Sequence, residues 1–176
     1  MGTRLLSEHM IKKQYPHLRY VRIHTDGNNK ATIYAWNDNL QLPDKEITKL
    51  KKFASGYLPQ HVCYQVKSYD KIEADRVPQV GELPEAVVQA AMSRSLNQNR
   101  IVEVMNELFS NGRMTFNSYD MITGTIHFDL CSSVPFTVME KELIRRYLYE
   151  ITPLGAASEV NYCQEPVGDD KPADLI

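Results

Sequence analysis

The spacing of apolar residues along this chain changes in a fixed order, and the order occurs twice. Residues 4–14 put Leu5, His9 or Met10 and Lys13 on successive helical turns, and Pro16 stops them. Over 18–25, Val21 and Ile23 alternate with Tyr20, Arg22 and His24; Asp26-Gly27-Asn28 supplies turn residues, and 31–36 alternates again. The period of two on both sides of that turn predicts a β-hairpin. Pro43-Asp44 then opens a helix whose Ile47, Leu50, Phe53, Ala54 and Tyr57 recur at steps of three and four, and Pro59 ends it. Val62, Tyr64 and Val66 alternate in a return strand.

The second pass starts at Pro84. Residues 85–109 read as one long helix or as two joined near 97–99, with Ile101, Val102, Met105, Leu108 and Phe109 in the clearer stripe. A hairpin follows over 114–118 and 125–130, turning around Asp120 and Gly124, with Ile126, Phe128 and Leu130 on one face. Pro135 and the capping-box pattern of Thr137 and Glu140 open the next helix; Ile144, Tyr147, Leu148 and Ile151 are its buried stripe. Val160 and Tyr162 mark a last short strand.

The implied fold class is α+β, a tandem duplication of an α-β-β-α-β unit, each with a three-stranded antiparallel or mixed sheet and helices on one face. The expected divisions are a first unit at 1–72, a linker at 73–83 containing Pro78 and Gly81, a second unit at 84–163 with an extended leading helix, and a disordered acidic tail at 164–176. The element order is similar to that of small ring-forming assembly domains and of several RNA-binding and ferredoxin-like domains, without a shared residue motif. Polar residues on the outward strand positions fit open sheets better than a buried layer between two sheets.

Charge changes the picture more than composition does. Residues 1–72 carry 12 Lys/Arg against 6 Asp/Glu, and the remainder carries 8 against 16, so a basic half precedes an acidic half. Opposite charges of this kind can guide packing of the halves or head-to-tail association. No apolar run reaches the roughly 18 residues of a membrane span. Cys63, Cys131 and Cys163 are an odd set without C-x-x-C spacing, which leads to an expectation of free, mostly buried thiols in a cytoplasmic protein.

Candidate chemistry is sparse. Tyr20, Arg22, His24, Tyr34, Trp36 and Lys67 share the outward face of the first sheet, where rings could stack on bases while cations meet phosphate, or where Trp, Tyr and Arg could anchor a protein partner. His127 and Asp129 lie two apart on one strand, so an acid could orient a histidine, but no nucleophile or third ligand accompanies them. His61 and Cys63 have the same spacing and form at most half a metal site. No phosphate-binding glycine loop, zinc-protease helix or nucleophile elbow occurs, and no cofactor or metal is expected. The sequence therefore points to a non-enzymatic intracellular protein-binding or assembly protein, self-associating or bound to another protein. A single-stranded nucleic-acid-binding module using the first sheet face is the alternative.

Overall fold

Each change of period in the sequence becomes an element. The computed structural model describes residues 2–165. The first unit comprises α1 (Arg4–Gln14), β1 (Tyr20–Gly27), β2 (Lys30–Trp36), α2 (Asp44–Tyr57) and β3 (Cys63–Ser68). A one-turn helix α3 (Lys71–Ala74) follows. The second unit comprises α4 (Glu85–Met92), α5 (Gln98–Leu108), β4 (Arg113–Asp120), β5 (Thr125–Ser132), α6 (Val138–Ile151) and β6 (Ala157–Gln164).

Both sheets have one plan. The second hairpin strand is central: β1 is antiparallel and β3 parallel to β2, and β4 is antiparallel and β6 parallel to β5. A parallel return needs a crossover, which α2 and α6 supply. The sheets are therefore mixed, and the duplicated α+β arrangement expected from the sequence is present.

The stretch 85–109 is two helices. Asn97 separates them because its side chain accepts the Arg100 N–H at 3.1 Å, capping α5. In the first hairpin the turn sits slightly later than Asp26-Gly27-Asn28: Asn28 and Asn29 hold φ of 54° and 55°. Asparagine is among the few non-glycine residues that enter this region readily. Thr25 fastens the turn, accepting the Gly27 N–H and donating to the Lys30 carbonyl.

Each sheet has its own core. Ile11 of α1 and Leu50 and Ala54 of α2 meet Ile23 and Ile33; Ile101 and Met105 of α5 and Ile144 and Leu148 of α6 meet Phe128 and Leu130. The sheets are joined neither edge to edge nor face to face. The turn of the first hairpin abuts the corresponding end of the second sheet, where the Asn29 N–H donates to the Gly155 carbonyl at 2.9 Å. Gly155 has φ +85°, and a Cβ there would lie 2.7 Å from a Val62 methyl and 3.3 Å from the Asn29 Cα. Only glycine fits both the conformation and the gap. The units also exchange side chains: Leu154 completes the first core, and Leu5 packs against the second.

Two expectations are corrected here. Cys131 and Cys163 form a disulfide between register partners on β5 and β6, with Cα atoms 4.4 Å apart, and Cys63 is exposed instead of buried. The 32-residue separation hid the pairing, because only the parallel return of β6 brings the two thiols opposite one another. Of the expected tail, Gln164 still belongs to β6 and the Glu165 N–H donates to Ser132; residues 166–176 lie outside the described residues.

Candidate functional site

The outer face of the first sheet carries the residues expected there. Cross-strand register pairs Tyr20 with Trp36, Arg22 with Tyr34, and Tyr34 with Lys67. This face is partly roofed, because segment 69–77 folds back over it. Asp75 accepts from the Tyr34 hydroxyl and from Lys67 Nζ, both at 2.7 Å, and Tyr34 is only 2% exposed. Those two donors hold the Asp75 carboxyl below the usual carboxylate range, whereas burial and Asp75 push the Tyr34 phenol up. The rings of Tyr20, Trp36 and Tyr69 pack on one another, with centroids 5.3–6.1 Å apart, and Trp36 Nε1 donates to Ser68. The three rings are thus already in contact with one another, and Tyr20 stays 40% exposed.

His24, from the same set, points to the second unit. Its Nδ1 lies 2.8 Å from the Tyr149 hydroxyl on α6 and its Nε2 lies 2.9 Å from Asp26. The Thr25 N–H donates to the same hydroxyl. Burial raises the Tyr149 phenol above its ordinary value, and the Thr25 hydrogen bond opposes it.

Beside this contact is a buried ionic junction that pattern reading missed. Arg4, 3% exposed, donates through Nη1 to Glu8 at 2.5 Å, and through Nε and Nη2 to Glu150 of α6 at 3.0 and 2.7 Å. Glu8 also accepts the Ile23 N–H, capping a donor on edge strand β1. Burial pushes the Glu8 carboxyl up, against the pull of Arg4 and that N–H. Burial acts to lower Arg4, but Glu8 and Glu150 outweigh it and raise the guanidinium. Thr3 Oγ donates to the Ala91 carbonyl at 2.5 Å, so the start of α1 is bonded into the second unit. A spacing of four between Arg4 and Glu8 looks like an ordinary solvated helix pair; only Glu150, far along the chain, makes it a junction.

Between the units lies a cleft of about 420 Å³. Arg22 and His24 of β1, Asp75, Arg76 and residues 78–81, Arg145, Arg146 and Tyr149 of α6, and the start of β6 line it.

The remaining candidates do not come together. Asp129 accepts from Asn117 and Asn161, whereas His127 Nδ1 faces Glu159 at 3.5 Å, so the aspartate does not orient the histidine. His61 and Cys63 are both exposed. Among the described residues no group of three or more His, Cys, Asp or Glu side chains could hold a metal ion.

The second unit shows an apolar surface not anticipated from sequence. Edge strand β4 is exposed from Thr115 to Tyr119 and carries a register shift between Phe116 and Ser118. Phe116 and Tyr119 are 41% and 50% exposed, and Met121 and Ile122 at the hairpin tip 82% and 94%. The pairing of Phe116 with Phe128 and of Tyr119 with Ile126 puts both rings on the face that elsewhere contacts helices.

No family model matches the chain, and no curated protein does. Among solved structures it is similar to the PrgH periplasmic domain, at 16% identity and a TM-score of 0.28, covering 89% of this chain and 67% of that one. It is also similar to two fragments of the periplasmic domain of PrgH, a T3SS inner membrane protein from S. typhimurium. These are 15% and 16% identical with TM-scores of 0.30 and 0.29, each covering 93% of this chain and 69% and 70% of theirs. The expected cytoplasmic location is withdrawn, because the Cys131–Cys163 bond is of a kind rare in the reducing cytosol. Among the described residues no helix is long and apolar enough to cross a membrane.

Proposed function

We propose that this chain is a non-enzymatic protein-binding and assembly module that self-associates through the β4 edge of its second sheet. The exposed β4 edge carries this reading. An edge strand keeps one row of unpaired backbone donors and acceptors, and a second strand can pair with that row. Phe116, Tyr119, Met121 and Ile122 add the aromatic and aliphatic anchors that dominate protein interfaces. The two units of the expected division, 1–72 and 84–163, act in this proposal as halves of one rigid body, held by the Arg4 junction.

Light scattering behind a sizing column tests it. The expected result is a species above monomer mass whose size is insensitive to salt, because the contact is apolar and main-chain, and which Phe116→Glu combined with Ile122→Glu converts to monomer. Dissociation by salt alone would favour head-to-tail association of the oppositely charged halves. A wild-type monomer would overturn self-association, and copurified nucleic acid in the ultraviolet absorbance would turn attention to the first sheet face.

A further inference from the structure

We propose that the cleft between the two units is a second binding site, taking an acidic peptide segment of a partner protein whose carboxylates are gripped by Arg22, Arg76 and Arg146. The argument begins with the charges. Three carboxylates line the cleft, and each already has a partner: Asp26 lies against His24, Asp75 accepts from Lys67 and Tyr34, and Glu150 accepts from Arg4. Arg145 is held by Glu142 on its own helix. Among the described residues Arg22, Arg76 and Arg146 make no direct ion pair or hydrogen bond to a carboxylate; Arg146 acts only at longer range on Glu142, one turn before it on α6 and already bonded to Arg145. The uncompensated charge of the cleft is therefore cationic, and it is guanidinium, whose planar fork matches a carboxylate.

The three arginines come from β1, from the turn after α3 and from α6, so they surround an opening instead of following a track. Gly81 lets the wall approach Arg146 closely, since a Cβ on Gly81 would collide with the guanidinium. That wall also favours a peptide. None of the backbone groups of residues 79–83 makes a main-chain hydrogen bond among the described residues, so donors and acceptors are available to another chain passing through. Single-stranded nucleic acid fits less well, because it needs free rings as well as cations. The cleft's ring, Tyr149, is packed against His24 and its hydroxyl already serves His24 and Thr25.

The experiment is fluorescence anisotropy on the full chain with a labelled peptide of alternating Glu and Gly, at low and high salt. The expected result is saturable binding that salt weakens, absent for the Gln-Gly peptide. Arg22→Ala, Arg76→Ala and Arg146→Ala should each weaken it about tenfold or more, as loss of a hydrogen-bonded charge does. Arg146→Lys should restore only part, because the fork is lost. Lys49→Ala, at an exposed position of α2 that does not line the cleft, serves as control, and unchanged thermal midpoints show that the variants fold. Binding should survive the Phe116→Glu/Ile122→Glu change, which separates this site from the β4 edge. The proposal fails if no binding occurs at low salt, if the arginine variants bind as wild type, if inorganic phosphate competes at the peptide's own affinity, or if a single-stranded oligonucleotide binds more tightly through the same arginines.

Discussion

Removing the Arg4 side chain would leave Glu8 and Glu150 buried with no cation between them. An uncompensated buried charge costs far more than a surface ion pair contributes, so Arg4→Met should destabilise the protein by about 3–5 kcal/mol in urea denaturation. Arg4→Met with Glu150→Leu should recover part of that loss and not all of it, because it removes one of the two stranded carboxylates and leaves Glu8. Equal destabilisation in single and double variants would mean that the junction acts through packing alone. Asp75 gives a pH-dependent counterpart. Its folded carboxyl titrates below its ordinary value because Lys67 and Tyr34 donate to it. The stability it contributes is therefore complete above the usual carboxylate range and is lost as pH falls through the depressed value. Trp36 fluorescence should report loosening of segment 69–77 in that acid window, and Tyr34→Phe should shift the transition to higher pH. Neither residue declares this role in sequence: Arg4 resembles a solvated helix charge, and Asp75 lies in a stretch that reads as linker.

At the scale of elements, local chemistry is strong enough to read. Thr137 and Glu140 form the reciprocal capping box that their spacing predicts, the Glu140 N–H donating to Thr137 and the Thr137 N–H to Glu140. Thr137→Ala should cost about 1 kcal/mol, seen as a lowered denaturation midpoint. The alternating strands and the stripes of α2 and α6 were legible for the same reason: the period that forms the element also buries it. What pattern could not convey was which neighbour covers an exposed residue. Tyr34 reads as an outward ring and is roofed by Asp75; Phe116 occupies a core-facing register opposite Phe128 and is nevertheless left exposed. The cysteines failed similarly, since their pairing depends on strand order and not on spacing.

For the whole molecule, the disulfide is the covalent element of the second sheet. Reduction should lower stability by about 2–4 kcal/mol through release of the closed loop, measured as a shift in urea midpoint with and without reductant. An unchanged midpoint would mean that β6 is held by its ladder and core contacts alone. The two units should melt together, because Leu5 and Leu154 each complete the other's core and Arg4 bonds to Glu150.

That exchange of leucines bears on the order in which the chain is made. β3 closes the first sheet at Ser68, yet Leu154 and Glu150 lie next to the last strand. During synthesis the first unit emerges with a vacancy in its interior and with Arg4 paired to Glu8 alone, and both conditions last until Glu150 and Leu154 have left the ribosome. Its early fold is therefore provisional, and a chain halted before Leu154 should present to chaperones and proteases a first unit that has its strands but lacks the side chain that seals them.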